Sequence, residues 1–303
     1  MDPVTGFAAA AVRIATPLLW ASLGEVVAER AGVINLSVEG AMLVGCLASA
    51  VAAQASGDPW VGVLAGALGG AVVAVAFAAV AIWGRSDQII TGTALTLASI
   101  GVTGIWYRHA FGPTGVGLSL PTLGPIEVPV LHRLPFVGPA LFEQPLLTYL
   151  VVAAVPLVWW VIFRTTFGLK LRATGESAQA ALAAGVPTRR CQTVAVVVGG
   201  VCAGVAGATL VLAQVGAFAE RMTAGRGFIA IAIVVLGRWR PVGVLLAALG
   251  FGAATALQFA FQATGFKVPY QLFLMLPYLV ALLALTGAAG RARAPRQLGR
   301  TVD

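Results

Sequence analysis

The sequence predicts an all-α protein, a polytopic transmembrane helical bundle of about nine crossings, with eight or ten also compatible. Three observations carry this. Of 303 residues, 59% are hydrophobic and only 10% are charged, whereas soluble domains carry about 25% charged residues. Apolar runs of about 20 residues recur along the whole chain, the length that crosses a bilayer as a helix. The short alternating segments of a membrane β-barrel do not occur.

Charge and turn residues divide the apolar runs in order. Span one is read from Gly6 to Leu23 and is followed by GEVVAERAG, expected to be a charged loop. Span two, Val33 to Ala53, contains Asn35, Ser37 and Glu39, and ASGDP turns it into span three, Trp60 to Trp83. GRSDQ leads to span four, Ile89 to Tyr107, and then to Arg108–Gln144, which is rich in proline and glycine. Span five runs from Pro145 to Phe163, span six from Thr193 to Gln214, a short seventh run from Phe228 to Leu236, span eight from Pro241 to Phe261 and span nine from Val268 to Leu285. The expected division is one membrane domain, residues 1–290, containing a cytoplasmic segment 164–190, and a cytoplasmic tail 291–303.

The net charge of +8 does not indicate nucleic acid. Its Lys and Arg sit mostly in short loops and the tail, as the positive-inside rule expects. The two loops richest in Lys and Arg are the one after span five and the tail. Putting both inside also puts AERAG, GRSDQ and Arg238–Arg240 inside, and the Pro/Gly-rich segment and the N-terminus outside. Arg221 and Arg226 then fall outside, a misfit. The N-terminal residues lack the basic region and cleavage site of a removed signal and read as the start of span one. Cys46, Cys191 and Cys202 suggest no disulfide framework, and two of them lie within apolar spans, where a free thiol behaves as a small hydrophobe.

The residues of standard catalytic and metal sites are missing. His109 and His132 are the only histidines, and there is no H-E-x-x-H or Cys/His cluster, so no metal site is expected. There is no G-x-S-x-G. Neither Lys170 nor Lys267 follows a glycine, so the chain has no G-x-x-x-x-G-K-[ST] phosphate loop. Catalytic residues are not expected, nor a cofactor in this chain; if ATP drives it, another polypeptide binds the ATP.

Polar residues within spans are few. An ionisable group at the bilayer centre costs ~2.5–3.5 kcal/mol on insertion scales, so Glu39 needs a partner or a polar cavity. It is either a substrate or gating residue, or a structural one pairing with Arg30 or a loop amide. Arg13 is open in the same way, with snorkelling as the structural alternative. Asn35 and Ser37 would bond freed backbone at a break near Gly32 or Gly40. Gln88, Thr91, Thr93 and Thr96 line a polar path or bond their own backbone. The candidate substrate-pathway residues are Asn35, Ser37, Glu39, Gln88 and Thr91. Gly62, Gly66 and Gly70, and Gly200 and Gly204, form small faces for close helix packing, within one subunit or between two.

The segment FGLKLRATGESAQAALAAGVPTRR, residues 167–190, is basic and rich in small residues. A helix is expected from an N-cap at Thr174, with Glu176 in its first turn, ending at Gly185 before Pro187. Its small side chains would fit another protein's groove; a solvated membrane-surface helix is the alternative. The segment resembles the cytoplasmic coupling segment of ABC importer permeases of the branched-chain amino acid and ribose type, G-x-x-x-R-A-x-G-x-x-x-x-A-A-x-x-x-G. Glu29, Arg30, Gly32, Asn35, Glu39 and Gly40 in AERAGVINLSVEG resemble the signature of the nucleoside and simple-sugar subgroup, and GRGFIAIAIVVLGRWRPVG is a third similar block.

The resemblance implies a permease subunit of an ATP-driven ABC importer in a bacterial cytoplasmic membrane, working by alternating access, with nucleosides as the expected cargo. Simple sugars or branched-chain amino acids are the alternatives, and a stand-alone secondary transporter is a different class. It also implies a second permease in a heterodimer, an ABC ATPase carrying the ATP, an extracytoplasmic binding protein, and surrounding lipid. Gly168, Arg172, Gly175, Glu176, Ala180, Ala181 and Gly185 become the expected ATPase-coupling residues.

Overall fold

The computed structural model describes residues 3–111, 120–127, 138–263, 275, 279 and 294–300. Helix α1 is Pro3–Arg30 and α2 is Val38–Ser56. Helix α3 is Pro59–Phe77, continued by a π-helical stretch, Ala78–Trp83, and α4 is Gln88–Phe111. A short antiparallel ribbon pairs β1, Pro125–Glu127, with β2, Glu143–Pro145, and α5, Gly138–Leu141, lies between them. Then come α6, Leu146–Arg164, α7, Thr166–Glu176, and α8, Ala178–Ala183. Helix α9, Thr188–Thr209, also ends in a π-helical stretch, Leu210–Val215. Helix α10 is Arg226–Leu236 and α11 is Pro241–Ala263.

Among the described residues, seven helices are long and apolar enough to cross a membrane, and α10 is a shorter apolar helix. The protein is therefore a mainly helical, multi-pass membrane protein. The expected span Val268–Leu285 and His132 lie outside the described residues, apart from positions 275 and 279 of that span.

Turn chemistry fixes the short connections. Gly57, at φ 72°, closes α2, and Asp58 Oδ1 accepts from Trp60 N at 2.8 Å to cap α3, with Pro59 in the first turn. Asp87 Oδ1 accepts from the amides of Ile89 and Ile90 to start α4. Helix α9 packs on α1, α2 and α3 at the centre of the bundle. Without a hydrophobic drive between helices in lipid, close approach at small residues supplies the packing. Gly66 and Gly70 lie against Gly204 and Gly200, and Gly45 lies against Gly204. The small faces thus meet inside one subunit. A Cβ at Gly204 would overlap the carbonyl of Gly66. Gly204→Val is expected to push α9 from α3 at about 1–3 kcal/mol, lowering the thermal midpoint in detergent with membrane insertion unchanged; an unchanged midpoint would contradict this packing.

Three expectations need correction. GEVVAERAG is not a loop: α1 continues to Arg30, and Glu25 and Glu29 are buried on it. Glu25 Oε1 accepts from Asn35 N, Glu29 Oε2 accepts from Trp239 Nε1, and Arg30 Nε donates to the Trp239 carbonyl, so each of the three has a partner in a distant segment or the following turn. Span two is not one helix from Val33: residues 33–37 are irregular and α2 starts at Val38. The coupling segment is two helices rather than one starting at Thr174. Thr174 Oγ1 donates to Lys170 O inside α7, and the extended Ser177 (φ −158°) ends α7 and caps α8 by accepting from Ala180 N. Glu176 therefore stands at the end of α7, not in a first turn, while Gly185 takes the expected left-handed conformation at φ 81°.

Candidate functional site

Two irregular stretches interrupt the helices: residues 33–37, read from the sequence as the start of span two, and residues 216–225 ahead of the short α10. Helix α1 ends in a Schellman-type turn, with Gly32 at φ 85° and Val33 N donating to Ala28 O. Backbone freed inside a membrane must find partners within the protein, and in residues 33–37 side chains supply them. Ile34 N donates to Gln88 Oε1 at 2.9 Å and Asn35 N to Glu25 Oε1 at 3.1 Å. Ser37 N and its hydroxyl both donate to Asn35 Oδ1, and Thr96 Oγ1 donates to Leu36 O. Gly40 packs on Thr96 and Ser99, which places Glu39 roughly 12–16 Å along α4 from Gln88.

The second break is the stretch after α9. Residues 216–225 are irregular, and α10 covers ~16 Å with its 11 residues, about half the ~30 Å hydrocarbon core. Its N-terminus meets Glu39. The carboxylate Oε1 accepts from Thr223 Oγ1 at 2.6 Å and Gly225 N at 2.9 Å, and Oε2 accepts from Gly227 N at 2.6 Å. Two amides at the start of α10, those of Gly225 and Gly227, are thereby satisfied, and a carboxylate sits at the positive end of its dipole. Only glycine fits at 227, because a Cβ there would lie 2.5 Å from Glu39 Cα. Discontinuous helices whose ends meet within the membrane are a device of transporters, where they form binding and gating elements.

The partner of Glu39 is thus a set of loop amides and a hydroxyl, not Arg30. Asn35, Ser37, Gln88 and Thr91 are all buried beside the first break, and Glu39 lies where the two breaks meet. Thr93 is exposed and bonds Ile89 O, and Thr103 bonds Ser99 O, the backbone alternative for the α4 threonines. Arg13 is exposed. The misfit arginines have local reasons. Arg226 Nη1 donates to the freed carbonyl of Met222, and Arg221 lines a cavity of about 200 Å³ with Thr103, Arg108 and Glu220. Arg108 and Glu220 pair there at 3.0 Å. The sequence did not point to Glu25, Thr223 or Trp239, and it marked Glu29 only through the family resemblance. The usable signals were two acids four residues apart on one helical face and the Gly-x-Gly at the start of a short apolar run.

The expected coupling residues divide into two groups. Gly168, Gly175 and Ala181 are buried. Gly168 packs on the carbonyls of Val161 and Ile162, and Gly175 on that of Arg30, so both serve internal packing. Glu176, Ala180 and Gly185 are exposed, as are Leu182 and Ala183 on α8, while Arg172 is half-buried over the Phe163 ring. The outward face of α8 carries Gln179, Ala180, Leu182 and Ala183 and no charge.

A multi-pass helical bundle in which an irregular stretch and a short helix meet at a buried carboxylate is an arrangement that membrane transporters use. Residues 7–285 match the family model described as the permease component of the branched-chain amino acid transport system, and the chain belongs to that family. It is 40% identical over 267 residues to the putative glucose ABC transporter permease TsgC13 of Haloferax volcanii, covering 87% of this chain and 80% of that one. It is 34% identical to the nucleoside ABC transporter permease NupC of Lactococcus lactis and 33% identical to the guanosine ABC transporter permease NupQ of Bacillus subtilis, in each case over 94% of this chain and 92% of the relative.

Proposed function

We propose that this chain is the permease subunit of an ATP-driven ABC importer for nucleosides, resident in a bacterial cytoplasmic membrane. The observation that carries the transport role is the meeting, at Glu39, of the irregular stretch before α2 and the N-terminus of α10, which in this reading is a hinge inside the membrane. In this reading the chain forms half of the pathway, and a second permease subunit forms the other half. An ABC ATPase binds the exposed face of α8, and an extracytoplasmic binding protein delivers the solute to the outer end, near the Arg108–Glu220 cavity. ATP-driven closure of the ATPase pair moves α7 and α8, and the bundle changes from inward-facing to outward-facing.

Nucleosides are favoured as cargo by the full-length similarity to NupC and NupQ; a simple sugar is the second reading, favoured by the similarity to TsgC13. ATP-loaded membrane vesicles carrying the chain with its partner subunits and binding protein separate the two. Saturable uptake of labelled guanosine that excess glucose does not inhibit is the expected result. Glucose uptake without guanosine uptake would replace the nucleoside reading by the sugar one.

A further inference from the structure

The described part of the tail, residues 294–300, is not a free end. Gln297 N donates at 2.9 Å to the carbonyl of Gly175 in the last turn of α7, where a helix leaves its carbonyls unsatisfied. Gly299 N donates at 3.2 Å to the carbonyl of Gly32, in the turn that ends α1. Gly299 has φ 75°, and a Cβ on it would press on Ile34. Leu298 packs with the apolar residues between α1, α6, α7 and α11. The buried Gln88 closes the set: its Nε2 donates to Arg300 O at 3.2 Å, and its Oε1 accepts from Ile34 N at 2.9 Å.

One seven-residue strip therefore holds the end of α7, the turn after α1 and the start of α4. These are the piece expected to meet the ATPase and the near end of the first irregular stretch. None of the contacts is made by an arginine side chain, so the positive-inside function of the tail does not account for them. A tail that only oriented the chain in the membrane would need its charges and not these main-chain bonds.

We propose that residues 294–300 are a strap that transmits movement of α7 and α8 to the irregular stretch at residues 32–37, with Gln88 as the positioning residue that latches it. The strap rests on the permease reading above. When α7 is displaced by a docked ATPase, Gly175 pulls Gln297, and Gly299 carries the displacement to Gly32. Gln88 keeps Ile34 and Arg300 in register, so the irregular segment moves with α7 rather than yielding separately.

The test uses the complete transporter in proteoliposomes, measuring solute uptake and ATP hydrolysis on the same samples. Removing residues 295–303 is expected to leave the ATPase bound and its hydrolysis within about twofold, while uptake per ATP falls about fivefold or more, the lower end of couplings between sites. Gln88→Met, which keeps length and apolar volume but loses both hydrogen bonds, is expected to lower the same ratio. The two changes combined are expected to do no more than the deletion, because residues in one network are non-additive. Unchanged uptake per ATP in both variants would overturn the strap. So would losses that simply multiply. If the deletion prevents assembly, Gln88→Met decides alone, by the same ratio. A wild-type transporter without ATP-dependent uptake would instead overturn the permease reading.

Discussion

Glu39→Ala is expected to reduce uptake about 100-fold while the long helices still insert. The carboxylate satisfies Thr223 Oγ1, Gly225 N and Gly227 N. Each buried donor left without a partner costs about 1–3 kcal/mol. Even after partial relaxation the docked position of α10 loses ~3 kcal/mol, and each ~1.4 kcal/mol is a factor of ten in occupancy. Glu39→Gln retains one carbonyl oxygen but turns an amide toward a donor, so it is expected to fall between wild type and alanine. Gly227→Ala should reproduce the alanine phenotype from the other side of the contact, because its Cβ has no room beside Glu39. Uptake by vesicles, with chain abundance checked in the same membranes, reads all three. Wild-type uptake in Glu39→Ala would show that the junction is not part of the moving machinery.

The second large effect is expected on α8. Leu182→Asp places a charge on the exposed, uncharged face of that helix, and a buried anchor in an interface is typically worth about 2 kcal/mol or more. ATPase recovery with the purified chain should then fall about 30-fold, with the thermal midpoint of the chain unchanged. Gly175→Trp, attractive from the motif alone, is expected to act differently. Gly175 lies against the Arg30 carbonyl and accepts the Gln297 amide, so the bulky variant should lower the midpoint of the chain itself. Equal ATPase recovery from wild type and Leu182→Asp would remove α8 from the docking surface.

The long apolar helices were legible in the sequence because hydrocarbon thickness imposes their length, and Asp58, Asp87 and Gly57 marked their ends through local turn chemistry. The break was legible only as a choice between Gly32 and Gly40: Asn35 Oδ1 does accept the freed Ser37 amide, but the Ser37 hydroxyl bonds Asn35 and not the backbone. The end of α1 was not legible. Glu25, Glu29 and Arg30 look like loop residues until Trp239, far along the chain, partners Glu29 and Arg30, and the Asn35 amide partners Glu25. The single coupling helix failed for a local reason: Ser177 and Thr174 are both plausible caps, and Thr174 instead bonds its own helix. Within the motif the sequence could not distinguish glycines that admit a neighbour, Gly168 and Gly175, from positions that face outward, Ala180 and Gly185. That distinction depends on what packs against the segment. The role of Gln88 was hidden for the same reason, since both of its partners are main-chain atoms of distant segments.

The most direct measurement is purification of the tagged chain from membranes, identification of what remains bound, and reconstitution of that assembly in liposomes with its binding protein. The predicted result is a complex with an ABC ATPase and a second permease that accumulates nucleoside only when ATP is supplied. A chain that purifies alone and moves solute in liposomes without ATP would contradict the account and make the protein a secondary transporter.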